Sequence, residues 1–217
     1  MNKKKRNFLF SAILILLAVV FTILVKVVDV KQVGVNETSI GFATLNQFVF
    51  KTTGVNMIWY HITDWLGLVP IFMAMVYSLI GLVQLIKRKS LFKVDKEIII
   101  LGLFYIVVIS FYIFFEKVIV NYRPILMNGF LEASYPSSHT LMTICLCGSS
   151  IIVNKKLFDN IITKFMNKLS LIIIFITVIG RLISGVHWFT DIIGGICISI
   201  ALLMTFHLVI DVIKKNN

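Results

Sequence analysis

The sequence predicts an all-α integral membrane protein of six transmembrane helices, with short interfacial helices in the first outer loop. Three observations predict it. The 217 residues are 59% hydrophobic and only 14% charged, with a mean hydropathy of +0.97; a water-soluble chain of this length needs far more charge over its surface. Six apolar stretches approach the roughly 20 residues that a helix needs to cross the hydrocarbon core. Lys and Arg gather in short clusters between those stretches, as they do in cytoplasmic loops. The length suits one domain, residues 1–217.

The first apolar run, 8–28, follows the basic cluster 3–6. It is too long for a signal peptide and no small-residue cleavage site follows, so it reads as an uncleaved anchor. Residues 29–65 form a long outer segment. Phe42, Leu45, Phe48 and Val49 recur there at helical spacing, and Trp59, Tyr60 and Trp65 carry amphipathic rings suited to the headgroup zone. One or two short helices lying on the membrane are expected, either as a connector or as a wall guiding a lipid headgroup; His61 reads as a loop residue. Spans 66–86 and 97–116 flank the cluster 87–96, spans 138–154 and 169–185 flank the cluster 155–168, and span 188–213 precedes Lys214 and Lys215. The fourth and fifth spans are short, but polar residues at one end extend each helix beyond the core.

With the N-terminus inside, 15 of the 21 Lys and Arg residues fall on the cytoplasmic side. Both termini are then cytoplasmic, and the 117–137 loop and the 184–188 turn share the outer face. Topology thus accounts for the net charge of +11. A nucleic-acid partner would need the basic clusters on one surface with aromatics between them, and none is expected. Cys145, Cys147 and Cys197 lie inside apolar runs, and the first two face different sides of a helix, so they form no disulfide framework. His61 and His207 stand alone. No C-x-x-C or H-E-x-x-H spacing occurs, and neither metal nor cofactor is expected.

Three polar islands interrupt the apolar sequence: 117–124, containing Lys117, Arg123 and Pro124; 135–140, containing Ser137, Ser138 and His139; and 180–191, containing Arg181, His187 and Asp191. Singly, each has a plain structural reading as a snorkelling side chain and helix stop, a serine N-cap, or an interhelical ion pair. Together, on one face of the membrane, they make a constellation that packing does not require, and ionisable groups in membrane spans are costly. The chemistry they suit is phosphoryl transfer without metal. A planar guanidinium donates paired hydrogen bonds to phosphate, and the helix N-terminus at 137–139 offers backbone N–H groups and a positive dipole end. His187 and Asp191, four apart on a helix, share a face; Asp191 is expected to accept a hydrogen bond from one imidazole nitrogen, leaving the other to attack phosphorus. His139 is expected across the phosphate as the acid for the leaving oxygen.

The islands resemble the three signature motifs of the type 2 phosphatidic acid phosphatase superfamily: Arg-Pro, then Pro-Ser-x-His, then Arg-x5-His-x3-Asp, in that order within residues 117–191. The resemblance implies six membrane helices in a bacterial plasma membrane, no metal, and a lipid phosphate substrate, with undecaprenyl pyrophosphate first and phosphatidic acid or phosphatidylglycerophosphate as alternatives. It implies phosphate ligation by Arg123, Arg181 and Ser137, a phosphohistidine on His187 oriented by Asp191, and His139 as acid. Ser138, beside them, joins the expected phosphate ligands. A non-catalytic lipid-phosphate binder is the rival reading, against which the oriented His187 speaks. Three positions depart from the pattern. The lysine of the first motif falls one residue late, with Glu116 in its place, which puts Lys117 in question as a phosphate ligand. Ser138 replaces a glycine, so φ > 0 is not needed there, and Gly180 replaces a serine.

Overall fold

The structure, a computed structural model, describes residues 3–158 and 160–214, without the side chains of Lys3, Lys4 and Lys214. Lys215, part of the C-terminal basic cluster, lies outside these residues. Among the described residues, eight α-helices follow in order: α1 (Lys3–Val27), α2 (Ala43–Thr53), α3 (Met57–Leu66), α4 (Leu68–Arg88), α5 (Lys96–Lys117), α6 (Ser138–Leu157), α7 (Ile161–Ile183) and α8 (Phe189–Lys214). A two-residue antiparallel pairing, β1 (Lys31–Gln32) with β2 (Ser39–Ile40), tightens the turn between α1 and α2.

The outward faces are apolar. Phe8, Trp65, Phe72, Ile106 and Phe175 are all more than 60% exposed, a surface that water would not tolerate over so many contiguous residues. The interior, by contrast, is rich in polar groups: Asn46, Thr140, Ser149, Ser150, Thr177 and Arg181 are buried. Among the described residues, five helical stretches are long and apolar enough to cross a membrane: Lys5–Val27, Met57–Arg88, Lys96–Lys117, Ile161–Ile183 and Phe189–Ile213. This is one fewer than the sequence led us to expect, and the missing one is α6. That helix packs against α4, α5, α7 and α8. Eleven of its residues are buried, including Thr140, Thr143, Ser149, Ser150 and Asn154. A helix surrounded by other helices needs small and hydrogen-bonding residues rather than lipid-facing apolar ones.

The segment 29–65 holds two short helices, α2 and most of α3, and α3 belongs to the apolar stretch Met57–Arg88. His61 belongs to α3 rather than to a loop, its ring edge-on to Tyr60 at 5.3 Å. The Asn56 side chain caps α3 by accepting from the Ile58 and Trp59 N–H groups. Gly67 alone separates α3 from α4. α7 starts eight residues earlier than the apolar pattern suggests, through a capping box between Asn160 and Thr163. Cys145 and Cys147 are free and belong to different buried clusters.

Two contacts tie the outer segment to the end of the bundle that carries the polar islands. Asn46 of α2 donates to Thr190 Oγ1 at 2.9 Å and accepts from the Thr190 N–H at 3.1 Å, at the start of α8. The Asn56 N–H donates to Ser184 O at 3.1 Å. Gly185, at φ +67°, lies so close to Gly54 that a Cβ would fall 2.1 Å from the Gly54 carbonyl oxygen, so only glycine permits this approach.

Candidate active site

Four parts of the chain converge: the N-terminus of α6, the C-terminal turn of α7 with the 184–188 turn, the 118–137 segment, and α3. His187 stands two residues before α8, 3% exposed. Its Nδ1 lies 3.0 Å from Ser134 O, a contact that requires the N–H on Nδ1 and leaves the Nε2 lone pair free. Nε2 itself is buried without a hydrogen-bond partner. Burial, reinforced by the charges of Arg123 and Arg181, holds the His187 pKa well below 6.5, so the ring is neutral.

The expected His187–Asp191 hydrogen bond is not there. Asp191 Oδ2 is 3.9 Å from Nδ1 and accepts instead from the Trp188 N–H at 2.8 Å. Oδ1 accepts from Asn121 Nδ2 at 3.4 Å. The reason is local: His187 precedes the helix, and Asp191, third residue of α8, reaches back to the N-cap N–H as the acidic half of a capping box does. Asp191 therefore fixes the turn that carries His187, while the Ser134 carbonyl fixes the ring. Trp188 Nε1 donates to Tyr122 O at 2.7 Å and pins the same turn to the 118–137 segment.

Arg181, in the last turn of α7, is fully buried. Its Nη2 donates to His139 Nδ1 at 2.8 Å and Nη1 to Thr63 Oγ1 at 3.4 Å. The Tyr60 ring lies 5.0 Å from its Cζ. Because guanidinium only donates, His139 Nδ1 must accept here; its Nε2 then carries the proton and lies 3.0 Å from Asp64 Oδ1. Arg123 is held by its own N–H on Glu132 O and by an ion pair, Nε to Glu132 Oε2 at 3.0 Å, without hydrogen-bond alignment. The Ser137 N–H is not free for a ligand, since it donates to Asp191 O at 3.0 Å; the free N–H groups of this helix start belong to the residues that follow, in the first turn of α6. Ser138, which opens α6, lines a small cavity with Glu116 and His187.

Arg123, Ser137, Ser138, His139, Arg181, His187 and Asp191 are thus brought to one end of the bundle. Lys117 is exposed on the last turn of α5 and makes none of these contacts; Glu116 takes its place at the cavity. The Gly180 departure has a steric reason. A Cβ there would meet Thr63 Cγ2 at 2.5 Å and the Trp59 ring at 3.0 Å, because α3 packs directly on α7. Sequence reasoning missed Tyr60, Thr63, Asp64, Asn121, Glu132 and Ser134. The rings around α3 were the one available signal for the first three.

A PAP2 superfamily model matches residues 42–214, which include every residue of this cluster. No curated protein matches the sequence significantly. The fold is similar to that of a solved structure described as the first transmembrane PAP2 type phosphatidylglycerolphosphate phosphatase from Bacillus subtilis. The TM-score is 0.54 at 18% identity, over 95% of this chain and 94% of that one. At that identity the likeness concerns the fold alone, and the family assignment rests on the match over 42–214. The chain belongs to the PAP2 superfamily, and it is a membrane phosphatase of that family.

Proposed function

We propose that the protein hydrolyses a lipid phosphate on the outer membrane face through a phosphohistidine on His187. One observation carries the reading. Arg123 Nε and Nη1, Arg181 Nε, Ser137 Oγ and His187 Nε2 are all buried without hydrogen-bond partners. Each such group costs about 1–3 kcal/mol, and native interiors hold few of them. Their concentration among two cations, a hydroxyl and a neutral imidazole fits a tetrahedral dianion. In this reading Arg123, Arg181, Ser137 and Ser138 hold the phosphate; Lys117 takes no part.

The neutral His187 supplies the Nε2 lone pair that forms the N–P bond as the P–O bond to the leaving group breaks. His139 gives that oxygen its proton. A water then attacks phosphorus, returns a proton to His139, and releases phosphate as the N–P electrons go back to His187. The Ser134 carbonyl stabilises the Nδ1–H throughout, and Asp191 keeps the turn in place. Arg181 must trade its His139 contact, and Arg123 its Glu132 contact, for phosphate oxygens.

The substrate reading follows from access. A site on the face poor in Lys and Arg meets lipids of the outer leaflet, where undecaprenyl pyrophosphate is released when wall polymers are assembled. A second reading, a glycerolipid phosphate, is favoured by the name of the similar solved structure, a phosphatidylglycerolphosphate phosphatase. The deciding experiment measures kcat/KM for undecaprenyl pyrophosphate, phosphatidic acid and phosphatidylglycerophosphate in one detergent, with His187→Ala as control. The prenyl pyrophosphate is expected to give the highest value and His187→Ala no turnover. A ratio below one against either glycerolipid reassigns the substrate, and an active His187→Ala refutes the nucleophile.

A further inference from the structure

The reaction above gives His139 a proton to deliver, and a proton donor works only if the correct nitrogen carries it. In the structure both nitrogens of His139 are occupied: Nδ1 by Arg181 Nη2 at 2.8 Å, and Nε2 by Asp64 Oδ1 at 3.0 Å. The two contacts are chemically different. Arg181 is a phosphate ligand in the proposed reaction and leaves Nδ1 when it turns to the substrate. Asp64 belongs to α3, whose other polar residues already border Arg181 through Thr63 and Tyr60. Its carboxylate accepts a proton-bearing Nε2 whichever protonation state the ring adopts.

We infer that Asp64 is a positioning residue for His139: it holds Nε2–H and so presents Nδ1 as the nitrogen that protonates the leaving oxygen. The inference rests on the phosphohistidine reading above. Asp64 receives no net proton. Its charge stabilises the imidazolium before transfer, and after transfer the neutral ring keeps Nε2–H on the carboxylate. The Nδ1 lone pair is then ready to accept the proton of the hydrolytic water. Gly67, the joint between α3 and α4, makes the approach possible. A Cβ on Gly67 would fall 3.1 Å from His139 Cδ2 and 3.1 Å from Asp64 O, so a side chain there would press on both partners. The charged groups around the His139 ring are Asp64 from α3, Arg181 from α7 and, farther off, Arg123 from the 118–137 segment. Of these only Asp64 favours the protonated ring. His139 and Asp64 thus form a histidine–carboxylate pair whose carboxylate comes from α3, an element that the three sequence motifs do not include.

The test compares two substrates for the full-length protein in detergent: a long-chain alkyl phosphate, whose alkoxide needs a proton to leave, and a nitrophenyl phosphate bearing the same chain, whose phenolate does not. For Asp64→Asn, kcat on the alkyl phosphate is expected to fall by about 10- to 100-fold, with a loss under about threefold on the aryl phosphate. The alkaline limb of kcat should move to lower pH by about one unit, since the ring loses its only favourable charge. Asp64→Glu should recover part of the alkyl activity. Equal losses on both substrates with an unmoved alkaline limb would show a structural residue and overturn the inference, as would an unchanged Asp64→Asn. If Asp64→Asn does not accumulate in the membrane, the Asp64→Glu comparison decides by the same substrate ratio. Wild-type protein that releases phosphate from neither substrate overturns the phosphatase reading itself, a different outcome from any Asp64 result.

Discussion

At the residue scale, the turn before α8 divides the support of one histidine between two groups. The Ser134 carbonyl selects the tautomer and the Asp191 carboxylate caps the helix that aims the turn. A carbonyl partner supports the N–H without adding a negative charge, so burial and the neighbouring arginines keep the ring neutral. The expected outcome is that the His187 resonance in histidine-labelled protein, identified by its loss in His187→Asn, still reports a neutral ring at pH 6.5, where an ordinary imidazole is half protonated. A midpoint at or above that pH would contradict the environment described. The unfolded chain binds the proton more readily than the folded one, so this group favours unfolding as pH falls through 6.5, and stability is regained above it.

At the element scale, the outer segment is more than a connector. α3 supplies Tyr60 and Thr63 to Arg181 and Asp64 to His139, and its seat on α7 depends on Gly180. Gly180→Ala places a Cβ against Thr63 Cγ2 at 2.5 Å, a short branched side chain without room to swing away. The expected cost is about 1–3 kcal/mol of overpacking, read as a lower thermal midpoint, together with a reduced kcat because Arg181 moves with the helix. An unchanged midpoint would mean that α3 yields freely. Arg123, His139, Arg181, His187 and Asp191 were legible because charged residues stand out in apolar sequence. Asp64 was not, because a polar residue in a segment that already alternates with aromatics carries no such signal. The Asp191 role was misjudged for a related reason: i,i+4 spacing implies contact only if both residues are helical, and the helix begins after His187. α6 stands outside the five apolar stretches because hydropathy registers side-chain polarity, and a helix packed among α4, α5, α7 and α8 carries polar residues such as Thr143, Ser149 and Asn154.

At the scale of the whole molecule, the distribution of Lys and Arg and the placement of the cluster make one claim together. The 118–137 segment and the 184–188 turn, which carry the site, lie at one end of the bundle, joined by Trp188 Nε1 to Tyr122 O and His187 Nδ1 to Ser134 O. The segments 89–95 and 158–160 join α4 to α5 and α6 to α7, and the chain around them holds nine of the 21 basic residues. If those segments are cytoplasmic, the site faces outward and meets lipid phosphates of the outer leaflet. Phe130 in the first segment and Phe92 in the α4–α5 connection are 73% and 94% exposed, well suited to report on side. The native thiols interfere little, since Cys145 and Cys147 are buried and Cys197 is partly so. In intact cells, Phe130→Cys is expected to react with an impermeant maleimide added outside, and Phe92→Cys only after the membrane is opened. The reverse pattern would put the site in the cytoplasm. Access would then favour a phosphate lipid made on the inner leaflet over the prenyl pyrophosphate, with the chemistry at His187 unchanged.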